Sequence, residues 1–175
     1  MELKKGKREF LTHTGFLGSN RITVLSTGIG TDNIDIVFNE LDALVNIDFN
    51  TRTEKSELKS LNIIRIGTSG AVHADIPVGS IMVSEYGLGL DSLMHYYLHQ
   101  LSGDEHMILD AVKSHLHHFK GVSPYITAAD PHLLKTIGNG LERGITVTPP
   151  GFYSPQGRQV RANGSFPGFI DDIRS

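Results

Sequence analysis

The chain has 175 residues, and its 16 Lys+Arg against 19 Asp+Glu leave a formal charge of −3, so no broad cationic surface advertises nucleic acid or an anionic membrane. Zero cysteines exclude disulfides, thiolate nucleophiles and Cys-ligated zinc, and fit a reducing compartment. A hydrophobic fraction of 39% suits a globular domain of a size that can bury its own core, and argues against global disorder.

From the N-terminus, Met-Glu-Leu-Lys-Lys-Gly-Lys-Arg has positive charge with no apolar stretch behind it. It reads as a solvated start and not as a signal peptide or a nucleic-acid arm, and the expected location is the cytoplasm. Residues 9–14 are a plausible strand. Residues 21–27, Arg-Ile-Thr-Val-Leu-Ser-Thr, are rich in β-branched side chains and stop at Gly28, a strong strand signal. Ile34, Val37, Phe38, Leu41, Leu44 and Val45 then recur at three- and four-residue spacing, which predicts a helix with one apolar face. Thr31 and Asp32 stand where an N-cap oxygen is wanted.

Residues 51–60 are polar and predict a loop. Residues 61–66, Leu-Asn-Ile-Ile-Arg-Ile, predict a second strand ending at Gly67. Further strands are expected at 80–84 and 144–148. Runs this apolar suit strands covered on both faces of a parallel or mixed sheet. Between them, 92–100 and 131–137 predict short helices, with Pro131 in a first-turn position. Residues 104–118 predict a longer one, with Met107, Ile108, Ala111, Val112 and His115 on its inner face. No run approaches the ~18 apolar residues of a membrane span, because Arg65, Asp75 and Glu85 interrupt the best ones. No repeat or low-complexity linker marks a domain boundary, so residues 1–175 read as a single α/β domain.

The 19 glycines, roughly 11% against a usual ~7%, concentrate where predicted strands end. Ligands of open α/β sheets bind at those ends. Ser26-Thr-Gly-Ile-Gly-Thr-Asp-Asn33 is a strand-to-helix turn whose helix start could face an anion; a tight connection explains it equally well. Arg65-Ile-Gly-Thr-Ser-Gly70 places an arginine inside an apolar strand, where a cation needs a partner. An anion cradled with Thr68 and Ser69 is one solution. An internal pair with Glu40, Asp42 or Asp75 is the other. Gly151-Phe-Tyr-Ser-Pro-Gln-Gly-Arg158 gathers aromatic rings, an amide and a guanidinium that could stack on and read a planar base. The alternative is an irregular loop tethered by Phe152 and Tyr153. His95 and His99, spaced i, i+4, and the cluster His115, His117 and His118 lack an HExxH pattern or a carboxylate partner. They read as surface or packing histidines, and no metal is assigned.

Taken together, Arg8-Glu-Phe10, Ser26-Thr-Gly-Ile-Gly, Arg65-Ile-Gly-Thr-Ser-Gly and Phe152-Tyr-Ser-Pro-Gln-Gly-Arg158 closely resemble the bacterial uridine phosphorylase branch of the nucleoside phosphorylase family, from about Lys7 to Arg161. The resemblance implies a three-layer α/β fold with a mixed, barrel-like central sheet flanked by helices. It implies a homodimer or higher homo-oligomer with shared sites, and phosphorolysis of a nucleoside to free base and ribose 1-phosphate. Nucleoside and inorganic phosphate are then the partners, with no nucleic acid, membrane, metal or organic cofactor.

By the same resemblance Arg65 and Thr68 bind phosphate, and Arg8 reaches the phosphate site of a neighbouring subunit. Ile29, Thr68, Ser69 and Gly70 lie near the nucleoside. Phe152 packs on the base, whose edge Gln156 and Arg158 read, so Arg65, Gln156 and Arg158 carry catalysis. The family's Gly-Asp-Pro-x-Arg phosphate loop and its later Glu-Met-Glu ribose segment do not occur in this sequence. The expectation is therefore an incomplete, internal portion of such an enzyme, inactive alone, with apolar faces left uncovered. A hydrolytic nucleosidase of the same fold, and a non-catalytic nucleoside-binding or dimerisation fragment, are the alternatives.

Overall fold

A computed structural model describes residues 1–174. The chain divides into two compact units, Met1–Gly67 and Thr68–Ser175, each of which is α/β.

The first unit opens with an antiparallel meander, β1 (Leu3–Lys7), β2 (Phe10–Leu17) and β3 (Asn20–Leu25), in the order β1-β2-β3. Lys7 pairs with Phe10 and Leu17 with Asn20, so two-residue turns join the strands. Lysines at positions 4, 5 and 7 of the edge strand β1 disfavour further strand addition. Ser26 fixes the end of β3, since its hydroxyl accepts from the Leu11 amide at 2.9 Å and donates to the Glu9 carbonyl at 3.2 Å.

After the glycine turn comes helix α1 (Thr31–Asn46). Its N-cap is Gly30, with no side-chain cap, so the expected oxygen cap from Thr31 or Asp32 is not what starts it; Thr31 already has helical geometry. Of its apolar stripe only Val37 is buried, and Phe38 and Leu44 remain exposed. Asn46 is buried at the helix end and holds the following chain. Its amide donates to the Lys59 carbonyl at 3.1 Å and its oxygen accepts from the Lys59 amide at 2.7 Å. A short ladder, β4 (Ile47–Asp48) with β5 (Thr53–Glu54), interrupts the expected 51–60 loop.

Residues 61–66 form no strand. All are exposed and pair with nothing among the described residues; Ile66 is 93% exposed. The apolar run signals a segment that wants cover on both faces, but strand structure also requires a neighbouring ladder, and none is present among the described residues.

The second unit is built on β6 (Met82–Gly89), β7 (Tyr125–Ala128) and β8 (Glu142–Thr148), ordered β7-β6-β8. β6 runs antiparallel to β7 and parallel to β8, which is the mixed sheet expected. Among the described residues no sheet closes into a barrel: the strands form sheets of three, two and three. Helix α2 (Gly103–His115) starts with a reciprocal capping box between Ser102 and Glu105. Leu88, Leu90, Leu109, Leu116, Phe119, Ile126 and Phe169 make the core, with Ile126 wholly buried. Burying each such side chain contributes roughly 1.5–3 kcal/mol.

The inner face of α2 differs from the expected one. Glu105 and Leu109 are buried, Ile108 and Val112 pack beside them, and Met107, Ala111 and His115 face outward. The segment 92–100 contains only a 3-10 turn, Leu93–Tyr96, whereas α3 (Pro131–Thr136) forms with Pro131 in its first turn and Asp130 capping it. A last helix, α4 (Phe169–Arg174), docks through Phe169 on Phe119, with ring centroids 5.0 Å apart. His118 Nε2 lies 3.1 Å from Asp172 Oδ2 on its outer side. No helix among the described residues is long and apolar enough to cross a membrane.

Candidate functional site

In the first unit Arg8 and Ile29 lie on adjoining turns. Arg8 occupies the tip of the β1–β2 hairpin with φ 54°, a left-handed conformation that costs an arginine roughly 1 kcal/mol or more. The next residue, Glu9, contacts the glycine turn. A Cβ built on Gly28, φ +67°, would lie 3.1 Å from Glu9 Cγ and 2.6 Å from Asn33 Nδ2. Asn33 in turn donates to the Ile29 carbonyl at 3.1 Å. Gly28 and Gly30 thus permit a bend that other residues would strain, and Ile29 projects outward, 75% exposed.

Arg65 lies on the exposed segment that follows Lys59. It forms no ion pair with Glu40 or Asp42, and its guanidinium folds back over Gly67, where an added Cβ would stand 3.3 Å from Nη1. Arg65 is exposed, so its cation does not require a protein partner. Thr68, Ser69 and Gly70 begin the second unit as irregular, exposed chain. The proposed phosphate set is thus divided, with Arg8 and Arg65 in the first unit and Thr68 in the second.

The second unit does gather the proposed base-reading residues. β8 ends at Thr148, and a 3-10 turn, Ser154–Gln156, follows the prolines. The Tyr153 carbonyl accepts from the amides of Gln156 at 2.8 Å and Arg158 at 2.9 Å. Gly157, φ +67°, packs so closely that a Cβ would meet Ile170 Cγ1 at 2.9 Å. These contacts fix the loop through its backbone. The aromatic side chains do not tether it, since Phe152 is 54% and Tyr153 65% exposed. Gln156 is half-buried, and Arg158 reaches solvent. Tyr153, Ser154 and Arg158 line an open depression of about 360 Å³ together with Val160, Arg161 and Ala162.

The histidines have structural partners. His95 Nε2 lies 2.9 Å from the Ser123 carbonyl, His99 Nε2 3.1 Å from the Ile126 carbonyl, and His115 Nε2 2.6 Å from the Asp172 carbonyl. Tyr125 donates to both oxygens of Asp91, at 3.0 and 3.1 Å, and burial pushes its phenol well above the ordinary range. These bonds fasten the 3-10 turn and α4 to the sheet and its flanking helix.

A family model described as the phosphorylase superfamily matches residues 1–170, and the chain belongs to that family. Among individual proteins it is 28% identical over 171 residues to the uridine phosphorylase of Thermococcus kodakarensis, covering 95% of this chain and 50% of that protein. A DeoD-type purine nucleoside phosphorylase of Buchnera aphidicola is 36% identical over 85 residues, 49% of this chain and 30% of that one. The fold superposes with a TM-score of 0.82 and 27% identity on a Trypanosoma brucei nucleoside phosphorylase whose structure is reported to show uridine phosphorylase activity, covering 99% of this chain and 64% of that one. The chain spans about half the length of the Thermococcus relative.

Proposed function

We propose that the chain belongs to a nucleoside phosphorylase acting on a pyrimidine nucleoside, with uridine the preferred substrate. The observation that carries this reading is the loop at 152–158, which presents an exposed aromatic ring, a half-buried amide and an exposed guanidinium from one fixed turn. Similarity to proteins named as uridine phosphorylases supports it.

In this reading Phe152 packs on the base while Gln156 and Arg158 donate to its carbonyl edge. Ile29, Thr68, Ser69 and Gly70 neighbour the sugar. Arg65 and Thr68 hold phosphate, and Arg8, projecting from its hairpin tip, serves the phosphate of a second copy in a homo-oligomer. A phosphate oxygen attacks C1′ as the C1′–N bond breaks. The bond pair leaves with the base, giving ribose 1-phosphate and the free heterocycle. Holding both reactants turns a bimolecular encounter into an oriented one. Fixed donors stabilise the charge that grows on the departing base. The scheme uses phosphate as co-substrate and no metal or organic cofactor, and it suits a cytoplasmic setting.

Titration of the 175-residue chain with uridine and with inorganic phosphate tests the reading. Saturable binding of uridine that weakens on Gln156→Ala and Arg158→Ala supports it. Absence of any nucleoside binding would overturn it in favour of a purely structural role.

A further inference from the structure

Helix α4 is attached to the second unit along more than one face. Phe169 and Ile173, one helical turn apart, seat it on the core. Asp172 fastens it to α2 and the turn that follows, with its carbonyl 2.6 Å from His115 Nε2 and its carboxylate 3.1 Å from His118 Nε2. The stripe formed by Ile170 and Arg174 meets other neighbours. Ile170 backs Gly157, whose added Cβ would stand 2.9 Å from Ile170 Cγ1, and Gly157 is the residue between Gln156 and Arg158. Arg174 Nε donates to the Val72 carbonyl at 2.9 Å, and Asp171 steadies the guanidinium at 3.3 Å from Nη1. Val72 follows shortly after Thr68, Ser69 and Gly70. One helical stripe thus touches both the base-reading turn and the chain that continues from the sugar-side residues.

We propose that Ile170 and Arg174 are positioning residues of the nucleoside site, with α4 acting as a spacer that holds the base-reading turn and the 68–72 segment at the separation a nucleoside requires. The inference rests on the base-side reading of residues 152–158 and the sugar-side reading of 68–70. A free base needs only the turn. A nucleoside joins base to sugar through one bond of fixed length, so its affinity depends on both segments standing in register. Backbone bonds within 153–158 set the shape of the turn, whereas its seat on the unit comes from contacts such as that of Gly157 with Ile170. Residues 68–72 form no helix or strand, and the Arg174 bond ties their end to the same helix. Segments placed in advance lose less freedom when the ligand arrives.

The test compares binding of uracil and of uridine by NMR titration of the full chain, in the unmodified protein, Ile170→Ala, Ile170→Val, Arg174→Met and Ile173→Ala. Ile173 packs on the same core as Ile170 and controls for the loss of a core contact. Arg174 is exposed, so its variant keeps the core intact. Ile170→Ala should weaken both ligands roughly threefold to tenfold, and Ile170→Val, which keeps the branch at Cβ, should stay within about twofold of the parent. Arg174→Met should weaken uridine roughly threefold to tenfold and leave uracil within about twofold. Ile173→Ala should lower the melting temperature while leaving both affinities within about twofold. Parental affinities in Ile170→Ala or Arg174→Met overturn the inference and leave the base-site reading standing. So does an Arg174→Met variant that weakens uracil as much as uridine, or an Ile173→Ala variant that weakens both ligands as much as Ile170→Ala. Failure of the unmodified chain to bind either ligand overturns both.

Discussion

The Glu105 carboxylate accepts a hydrogen bond from the Ala128 amide at 2.7 Å, which ties the first turn of α2 to a strand 23 residues further along the chain. Its other oxygen accepts from the Ser102 amide, also at 2.7 Å, while the Ser102 hydroxyl accepts from the Glu105 amide at 3.3 Å. One buried acid therefore caps a helix and closes the end of β7. Both jobs serve the sheet whose opposite edge strand, β8, leads into the proposed base-reading loop.

Glu105→Ala should cost the second unit about 2–4 kcal/mol, because it removes the helix cap and the charged acceptor shared by the Ala128 and Ser102 amides. Glu105→Gln keeps a carbonyl acceptor and should cost about 1–2 kcal/mol. Urea denaturation followed by far-UV circular dichroism measures both. Equal stability of Glu105→Ala and the parent would show that the contact contributes nothing.

The same acid gives the unit a pH dependence of definite sign. Backbone hydrogen bonding from Ser102 is the main force lowering its carboxyl below 4.5, against an opposing effect of burial. A folded-state value below the unfolded one means the stabilisation is complete above the unfolded value and disappears as pH falls through the folded one. Denaturation midpoints should therefore drop on acidification below about pH 4.5. The drop should be shallower in Glu105→Gln, and identical slopes in the two proteins would contradict the assignment.

Gly89 and Tyr125 face each other across the β6–β7 ladder, and a Cβ on Gly89 would overlap the Tyr125 ring. That ring is held in place by its hydroxyl on Asp91. Gly89→Ala should destabilise the unit by about 3 kcal/mol, the upper end for overpacking. Gly87, two residues earlier on the same strand, has nothing within 4 Å of its built Cβ. Gly87→Ala should change stability by no more than about 0.5 kcal/mol. The contrast between two glycines of one strand, read by thermal melting, separates steric conflict from a general effect of adding a methyl.

Much of this architecture was legible because local chemistry decided it. β3 and β8 announce themselves through β-branched runs, α1 through its three- and four-residue apolar spacing, and the bend before α1 through Gly28 and Gly30, both of which need positive φ. The inner face of α2 was hidden because Met107, Ile108 and Leu109 are consecutive, while one core-facing position is filled by an acid. The Ser102 amide nearby and the Ala128 amide, far along the sequence, together make Glu105 acceptable there. The 61–66 run misled for a related reason: its composition reports a demand for cover, and cover is a property of neighbours. Within the candidate site, Gln156 and Arg158 were visible as residue types in a loop. The place of Arg161 depends on how the chain turns after Gly157, a fact of conformation and not of composition.

Effective catalysis needs reacting groups held near their productive geometry by packed neighbours. Gln156 and Arg158 come from a turn fixed by backbone bonds and by Gly157 against Ile170. Arg65 and Thr68 instead sit on irregular, exposed chain, with the Arg65 guanidinium lying over its own Gly67. The purified 175-residue chain should therefore bind uridine yet form little or no ribose 1-phosphate from uridine and phosphate. Arg65→Ala should abolish any saturable phosphate binding while leaving uridine affinity within about twofold, since the side chain is exposed on irregular chain and packs in no core. Both are measurable with one preparation, by chromatography of released uracil and by titration. Robust phosphate-dependent uracil release by the unmodified chain would show that Arg65 and Thr68 are ordered by the substrates themselves, and the prediction would fall.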